Sequence, residues 1–464
     1  TSIDKSSSAR SNSGRFAMSE YTEVELPFLQ QLAAQGWTVV DQGYATIPQD
    51  PGVSLRTSFR EWLLPGVFAA AVRRINTLPD GKPWLADRQL NDLRSQLLRQ
   101  PNRTLLEANE AIQALLFKAQ VERNELTGEM DPVVRLIDFA HPENNSFHAV
   151  NQFRIDTPGC VRQFIIPDIV LLVNGIPLCV VECKKGSETC ANPMAEAFAQ
   201  LQRYMNKRAE TATAGLREGE PRLFHSNLLL IRSCGLEADY GTMTSGEEHF
   251  YNWKTLYPQG DDALESMNAQ QRLVAGMLTP TNLLHILRTS TVFMDTDSGP
   301  RIKVVCRYQQ YRAAAKILHR LRNGATSADR SGVVWHTQGS GKSLTMVFLA
   351  RMLRASSDLN DYKIVLVNDR QGLEDQLGET AKLIGARVNV IETRADLRMQ
   401  LGTSSSDVNM VMVHKFQERK ETLTNTVAEA LGTYLAIPAA QTFGAVNTSE
   451  CIIMLVDEAH RTQG

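Results

Sequence analysis

A stretch of small residues in the last third of the sequence has the composition of a phosphate-binding loop. It reads Thr337-Gln338-Gly339-Ser340-Gly341-Lys342-Ser343, with apolar residues 333–335 before it and a helical pattern over residues 344–353 after it. The glycines let successive backbone N–H groups turn toward phosphate oxygens. Lys342 would bring positive charge to the β- and γ-phosphates, and the Ser343 hydroxyl would ligate Mg²⁺. The pattern predicts a strand, a nucleotide-binding loop and a helix.

An acidic pair downstream would complete this nucleotide site. The apolar run 451–456 is typical of a strand buried on both faces, and Asp457 and Glu458 follow it directly. Open α/β sheets bind ligands at this end of their strands. Asp457 would hold the Mg²⁺ of the nucleotide, and Glu458 would polarise the attacking water. An isolated Asp-Glu pair is most simply a solvated turn, but its position after a phosphate loop favours the functional interpretation.

A second set of charged residues lies at the ends of a predicted hairpin. Apolar runs 164–173 and 176–183 flank Asn174-Gly175, a strong hairpin signal. Asp168 lies on the first strand, while Glu182 and Lys184 share one face of the second because strand side chains alternate. Two carboxylates and a lysine in this arrangement can bind Mg²⁺ and activate water against a phosphodiester. The alternative is a hairpin whose charged ends are simply solvated.

Strand register sets a condition on this metal site. A strict two-residue turn at Asn174-Gly175 would pair Asp168 with Val181 and point it away from Glu182. The site therefore requires a bulge or a loop of odd length. A three-residue loop over residues 173–175, with Gly175 in the left-handed region, would satisfy the condition.

Three further features have weaker signals. Gln200 and Tyr204 share a face of a predicted helix over 192–207, and spacing alone favours a polar surface stripe. Gln310 precedes the phosphate loop by one helix, where its amide could read an adenine edge. Four cysteines near the hairpin match no metal-ligand spacing, so we interpret them as free thiols: Cys160, Cys179, Cys183 and Cys190.

Composition narrows the class of protein without revealing a partner. The 464 residues include 49 Lys+Arg and 51 Asp+Glu, so a net charge of −2 does not indicate nucleic-acid binding. Seven irregularly spaced cysteines favour a reducing, cytoplasmic location. We find no apolar run long enough for a transmembrane helix and no signal peptide, so no membrane partner is expected. Residues 1–17 resemble a tag and are left out of the fold argument.

The elements that must position these residues alternate along the second part of the chain. Strands are predicted at 363–368, 388–391, 409–413 and 451–456, with helices between them, which indicates an α/β parallel sheet with crossover helices. Residues 295–300, Asp-Thr-Asp-Ser-Gly-Pro, are the best candidate for a linker between this sheet and the preceding hairpin region.

The two sets of motifs, taken in this order, resemble the restriction and motor (R) subunit of type I restriction–modification enzymes. Besides the Pro-Asp…Glu-x-Lys hairpin and the DEAH-type box at 457–460, the resemblance rests on residues 147–153, 307–313, 368–370 and 413–416. It implies an α/β fold with a restriction-endonuclease-like mixed α/β domain over 18–295. A RecA-like P-loop domain, a doubly wound parallel sheet and the first motor lobe of a superfamily 2 helicase, would follow over 296–464. The second lobe and the C-terminal helical region of the family would be absent from this sequence.

The resemblance also implies an activity. A member would couple ATP-driven translocation to Mg²⁺-dependent cleavage of unmodified double-stranded DNA, within a complex with methyltransferase and specificity subunits. The family ties its Gln-x-x-x-Tyr pair to nuclease function, which makes Gln200 and Tyr204 site candidates. Two alternatives stay open: a stand-alone helicase–nuclease of DNA repair or of another restriction class, and a nucleotide-gated DNA-binding scaffold with an inactive nuclease.

Overall fold

The structure, a computed structural model, describes residues 19–44, 46–101, 103–187, 190–296, 299–337, 339–368, 383–384, 387–391, 393–412 and 447–457. The first part of the chain forms strands β1–β10, which are β1 (Thr38–Val40), β2 (Ala119–Gln120), β3 (Val133–Val134), β4 (Phe147–Asn151), β5 (Ile155–Asp156), β6 (Phe164–Ile165), β7 (Ile169–Val173), β8 (Ile176–Cys183), β9 (Leu229–Ser233) and β10 (Ala238–Gly241). Its helices are α1 (Leu26–Ala34), α2 (Pro65–Ile75), α3 (Asp87–Leu98), α4 (Leu105–Phe117), α5 (Pro193–Tyr204), α6 (Ala209–Thr213), α7 (Ala269–Gly276) and α8 (Pro280–Thr289).

Local sequence signals explain where several of these helices begin. Thr104 and Asn192 accept hydrogen bonds from backbone N–H groups in the first turns of α4 and α5. Pro280 stands at the first position of α8 and separates it from α7. A proline fits there because the N–H that it lacks would have no partner inside the helix.

A six-stranded mixed sheet holds the predicted hairpin at its centre. Its order is β1-β4-β7-β8-β9-β10; β8 runs parallel to β9, and β7 is antiparallel to both of its neighbours. Every residue of β7 and β8 is buried, which explains why the two runs lack an alternating polar face.

The hairpin satisfies the register condition by a bulge. Asn174 (φ 49°) and Gly175 (φ 76°) form a two-residue turn, and the pairing shifts by one residue between Leu172↔Pro177 and Leu171↔Cys179. The prediction of a three-residue loop is therefore wrong, and the alternative of a bulge is confirmed. A turn with both residues in the left-handed region suits the twist of the flanking strands. The additional residue of the bulge, Leu178, therefore lies inside β8 and not in the turn.

The second part of the chain forms strands β11–β16 and helices α9–α12. The strands are β11 (Thr291–Thr296), β12 (Gly299–Val305), β13 (Lys363–Asn368), β14 (Val388–Ile391), β15 (Val408–Met412) and β16 (Ile452–Val456). The helices are α9 (Tyr308–Asn323), α10 (Ser327–Arg330), α11 (Lys342–Ala355) and α12 (Arg394–Gly402). A four-stranded sheet in the order β14-β15-β13-β16 is parallel throughout, as predicted.

Two predicted elements differ in the structure. Residues 333–335 do not form a strand, and Trp335 is 91% exposed. No described strand pairs with them, so their backbone lacks the hydrogen bonds of a sheet. Residues 295–296 and 299–300 of the predicted linker belong to β11 and β12, which pair as an antiparallel hairpin. That hairpin packs into a hydrophobic core that continues from the first sheet to α9 and α11. This part of the chain is therefore packed and does not act as a linker.

Among the helices that the structure describes, none has the length and apolar character needed to cross a membrane.

Candidate active sites

The first candidate site lies at the end of β7 and β8. Asp168 immediately precedes β7, and the bulge brings it level with Glu182, because Ile169 pairs with Val181. The Lys184 Nζ lies 2.7 Å from Glu182 Oε1 and 3.5 Å from Asp168 Oδ2. The structure thus brings together the two carboxylates and the lysine selected from the sequence.

Burial and mutual charge govern the protonation of this group. Burial raises the pKa of Asp168 against the opposing effect of Lys184. Burial and then the charge of Asp168 raise the pKa of Glu182 well above its usual range. Burial alone would lower the pKa of Lys184, but Glu182, Asp168 and Glu20 together raise it above its usual range. Lys184 therefore stays charged and partly compensates two buried carboxylates.

An unpartnered oxygen tests whether these residues fit a metal ion. Glu182 is fully buried, and its Oε2 has no hydrogen-bond partner among the described residues. An anionic oxygen without a partner is costly to bury, and a cation would satisfy it. The described residues contain no group of three or more His, Cys, Asp or Glu placed to hold a metal. Two carboxylates still suit Mg²⁺, which normally keeps several waters and binds few protein ligands.

Helix α5 adds Gln200 and Tyr204 to this site. Gln200 Nε2 donates to the Tyr204 hydroxyl at 3.0 Å, and that hydroxyl donates to Ile166 O at 2.9 Å. Tyr204 is fully buried, and its hydroxyl lowers the pKa of the Glu182 carboxyl against the larger effects of burial and Asp168. The pair therefore lies beside the candidate site, and the burial of Tyr204 makes the surface-stripe interpretation wrong for that residue.

Acidic residues near the start of the described chain also reach this site, and the sequence did not identify them. Glu20 lies 3.4 Å from Lys184 Nζ, and its other oxygen accepts the backbone N–H of Lys185 at 3.1 Å. Glu25 is buried and accepts Asn151 Nδ2 at 2.9 Å. Burial and then the charge of Asp168 raise the pKa of Glu25 to about 8. Glu25 is a charged residue on the apolar face of an amphipathic segment, and that position could have identified it from the sequence.

The second candidate site is the loop before α11. Gly339 (φ 76°) and Gly341 (φ 81°) adopt the left-handed conformation, and α11 begins at Lys342. Ser343 is exposed in the first turn of α11, and the Ser340 hydroxyl is buried without a hydrogen-bond partner among the described residues. Turned glycines leading into a helix N-terminus suit a bound phosphate group.

Gln310 contacts this loop, and Asp457 lies at one end of the parallel sheet. Gln310 Nε2 donates to Ser340 O at 3.1 Å and Gly341 O at 3.2 Å, and its Oε1 accepts the Arg307 N–H. The structure therefore places Gln310 on the loop backbone. Asp457 follows β16 and donates its N–H to Val367 O, so it lies at the predicted end of the parallel sheet. Gln338 and Glu458 lie outside the described residues.

The fold and the two sites define a protein that joins a carboxylate–lysine centre to a separate phosphate loop on a parallel sheet. The family model for the type I restriction enzyme R protein N terminus matches residues 17–249, and that for the SWI2/SNF2 ATPase matches residues 309–464. The chain belongs to the type I restriction enzyme R proteins, as the sequence resemblance predicted.

Relatives named as endonuclease subunits match across both parts. The chain is 30% identical over 452 residues to the type I restriction enzyme HindI endonuclease subunit of Haemophilus influenzae, covering 95% of this chain and 39% of the relative. It is 24% identical over 434 residues to the putative MjaIXP endonuclease subunit of Methanocaldococcus jannaschii, covering 89% of this chain and 37% of the relative. The chain thus spans about two fifths of the length of these relatives.

Proposed function

We propose that this chain carries the nuclease and part of the motor of a type I restriction enzyme. The function is ATP-dependent translocation on double-stranded DNA coupled to Mg²⁺-dependent endonucleolytic cleavage of unmodified DNA. The observation that carries the proposal is the contact of Lys184 Nζ with both Asp168 and Glu182, beside Glu182 Oε2, which has no hydrogen-bond partner in the described part of the chain. The names of the relatives and the ATPase family match agree with it.

In the nuclease, Asp168 and Glu182 would hold Mg²⁺, which supplies an activated water and offsets charge on the phosphate when bound. Lys184 would stabilise the negative charge that develops on the phosphodiester. The Tyr204 hydroxyl favours the ionised form of Glu182, and Gln200 orients that hydroxyl. Convergence of these groups argues against a scaffold with an inactive nuclease.

In the motor, the loop from Thr337 to Ser343 would bind the phosphates of ATP. Ser343 and Asp457 would hold the nucleotide Mg²⁺, and Glu458 would orient water for hydrolysis. Gln310 would position the loop through Ser340 O and Gly341 O, and release of these bonds would let its amide read the adenine. Methyltransferase and specificity subunits would supply the recognition sequence, and the complex would act in the cytoplasm.

The test compares two lysine variants in the full-length protein assembled with its partner subunits. Lys184→Ala should reduce DNA cleavage at least about a hundredfold, because the developing charge loses its cation, and leave ATP hydrolysis and translocation intact. Lys342→Ala should abolish ATP hydrolysis and translocation. Lys82→Ala, at an exposed lysine, serves as the control. Cleavage that survives Lys184→Ala would overturn the nuclease assignment.

A further inference from the structure

The paired strands β4 and β7, which end next to Asp168, continue beyond the six-stranded sheet. After Asn151↔Ile169, the β4–β7 pairing continues through Gln152 N to Asp168 O (2.8 Å) and Phe153 N to Pro167 O (2.9 Å). The β5–β6 pair keeps the same register, and Thr157 N donates to Gln163 O at 2.7 Å. Residues 152–168 therefore form a two-stranded arm, and Asp168 lies where this arm leaves the sheet.

One face of the arm is buried and the other leads to Asp168. Phe153, Ile155 and Ile165 are buried, whereas Arg154 and Phe164 between them are partly exposed. Between the tip of the arm and Asp168, the partly exposed Phe164 and Ile166 alternate with the buried Ile165 and Pro167. A ligand lying along this face would reach the candidate nuclease centre.

Stacked cations and rings stiffen the arm. The Arg56 guanidinium lies 3.8 Å from the centre of the Phe153 ring, and Arg154 lies between Phe59 (4.6 Å) and Phe164 (4.9 Å). Asp156 donates its N–H to Phe59 O at 2.9 Å. Cation–π contacts of this kind contribute about 0.5–2 kcal/mol each, so the tip is held at a fixed distance from Asp168.

The end of the arm joins a second loop to form a mixed cationic and apolar surface. Val161 N donates to Arg217 O at 2.8 Å. Val161 is 59% and Leu216 is 50% exposed, and Arg162 and Arg217 are exposed beside them. Within the part of the chain that the structure describes, neither arginine forms an ion pair. We call these four residues the tip patch.

We propose that the arm and the tip patch bind duplex DNA beside the phosphodiester that the Asp168 centre cleaves. The arginines contact phosphates, and Val161 and Leu216 pack against the groove wall. This inference rests on the proposed nuclease function. Six to seven residues separate the patch from Asp168, about 20 Å at 3.3 Å per residue, or roughly six base pairs. The major groove of B-DNA admits a two-stranded ribbon of this kind.

Two unpaired arginines favour DNA as the occupant over another subunit. A protein partner would need two matching carboxylates, whereas every duplex presents regularly spaced phosphates. The apolar pair is small, which suits contact with sugars and base edges better than a stable protein interface of about 800 Å² on each side.

The test measures DNA binding by the full-length protein in its assembled complex. In Mg²⁺-free buffer, the double variant Arg162→Ala/Arg217→Ala should bind duplex DNA more weakly, and the slope of log K against log salt should fall by about two. Arg162→Lys/Arg217→Lys should retain that slope. Arg99→Ala/Leu126→Ser removes an exposed arginine and an exposed aliphatic side chain elsewhere and should change neither quantity.

A second measurement places the DNA directly. A benzophenone side chain at position 161 should crosslink to duplex DNA, and one at position 126 should not. An unchanged salt slope with no crosslink at 161 would overturn the proposal, as would loss of a partner subunit from the arginine variant with its DNA affinity intact. The proposed nuclease function fails separately, if Asp168→Asn still cleaves DNA.

Discussion

The balance of charge around Lys184 decides what the first site can do. One ammonium group contacts Glu182 and Asp168, and Glu20 lies 3.4 Å away, so the local charge without a metal is negative. Negative charge in a buried place favours protonation of a carboxyl and also favours a bound divalent cation. Protons and metal therefore compete for the same oxygens, and cleavage should fall as the pH is lowered.

Tyr204→Phe tests this competition. The Tyr204 hydroxyl lowers the pKa of Glu182, so its removal raises that pKa further. Glu182 would then be protonated at a higher pH, and the acid limb of the pH profile of cleavage should move to higher pH. A rise of about one unit in that pKa would reduce the ionised fraction of Glu182, and with it cleavage at neutral pH, by about tenfold.

Tyr240→Phe is the matched control for that experiment. Tyr240 is also buried, and its hydroxyl donates to Cys306 O at 2.8 Å, far along the chain from the carboxylates. It should leave the acid limb of the profile in place. An acid limb that moves equally in both variants would indicate a general loss of packing and contradict the role assigned to Tyr204.

At the residue scale, charged positions near the ends of two apolar runs selected Asp168, Glu182 and Lys184 as candidates. That pattern could not reveal Glu20 or Glu25, because their contact with the site depends on how the first helical turns pack against the end of β8. That packing is tertiary and leaves no periodic signal near the motif. Tyr204 had the right spacing from Gln200 in the sequence. Its place in the interior, however, involves a hydrogen bond to Ile166 O, which lies in a distant part of the sequence.

At the scale of elements, the β7–β8 turn is fixed by its surroundings as well as by its own residues. Asn174 Oδ1 accepts Ser146 N at 2.8 Å, and Asn174 Nδ2 donates to Leu136 O at 2.9 Å. Leu64 donates its N–H to Gly175 O at 2.9 Å. The turn therefore sets the register of both strands, and with it the alignment of Asp168 and Glu182.

Gly175→Ala should destabilise this turn strongly. A Cβ at this position would lie 2.6 Å from Leu64 O and 3.0 Å from Phe68 N, and the positive φ adds strain. We expect a loss of about 2–4 kcal/mol in the free energy of unfolding, measured by urea denaturation. Gly81→Ala has a similar φ of 83° with nothing within 4 Å, so it isolates the backbone strain at about 1–2 kcal/mol. Equal losses in the two variants would contradict the steric argument.

Sequence patterns predicted the hairpin and the parallel strands well, but not the position of the bulge or the conformation of residues 333–335. A bulge at Leu178 leaves no mark in a run that is apolar at every position. An apolar run predicts a strand only where a neighbour pairs with it, and residues 333–335 have no such neighbour among the described strands. Residues Asp295 to Pro300 have linker composition, yet the same residue types also form hairpin turns.

At the scale of the whole molecule, the hairpin β11–β12 joins the region of the carboxylate–lysine site to the region of the phosphate loop. Lys303 of β12 is fully buried, and its Nζ donates to Asn109 Oδ1 at 2.8 Å and Asn227 O at 2.7 Å. Shortly after it, Cys306 O accepts the Tyr240 hydroxyl, and α9 begins with Gln310 in its first turn. The phosphate loop is thus connected to the first sheet through packed elements, so the two regions should unfold together.

Lys303→Met should change how stability depends on pH. Burial lowers the pKa of Lys303 to about 7 from a value of 10.5 in the unfolded chain. Between these values the unfolded chain binds the extra proton, so the contribution of Lys303 to stability increases as the pH rises. The protein should therefore gain stability relative to Lys303→Met between pH 7 and 9.5, by up to about 3 kcal/mol. Below pH 7 the difference between the two should be constant, because Lys303 is then charged in both states.

Urea denaturation at several pH values, followed by tryptophan fluorescence, measures this difference. The loss of hydrogen bonds to Asn109 and Asn227 in Lys303→Met adds an offset that does not vary with pH, so the slope carries the information. Lys316→Met, at an exposed lysine of α9, removes a charge that stays in water and should show no such slope. A flat difference for Lys303→Met would mean that Lys303 remains charged in its buried site. The hairpin would then join the two regions through a buried cation held by neutral oxygens, at a stability cost that does not change with pH across this range.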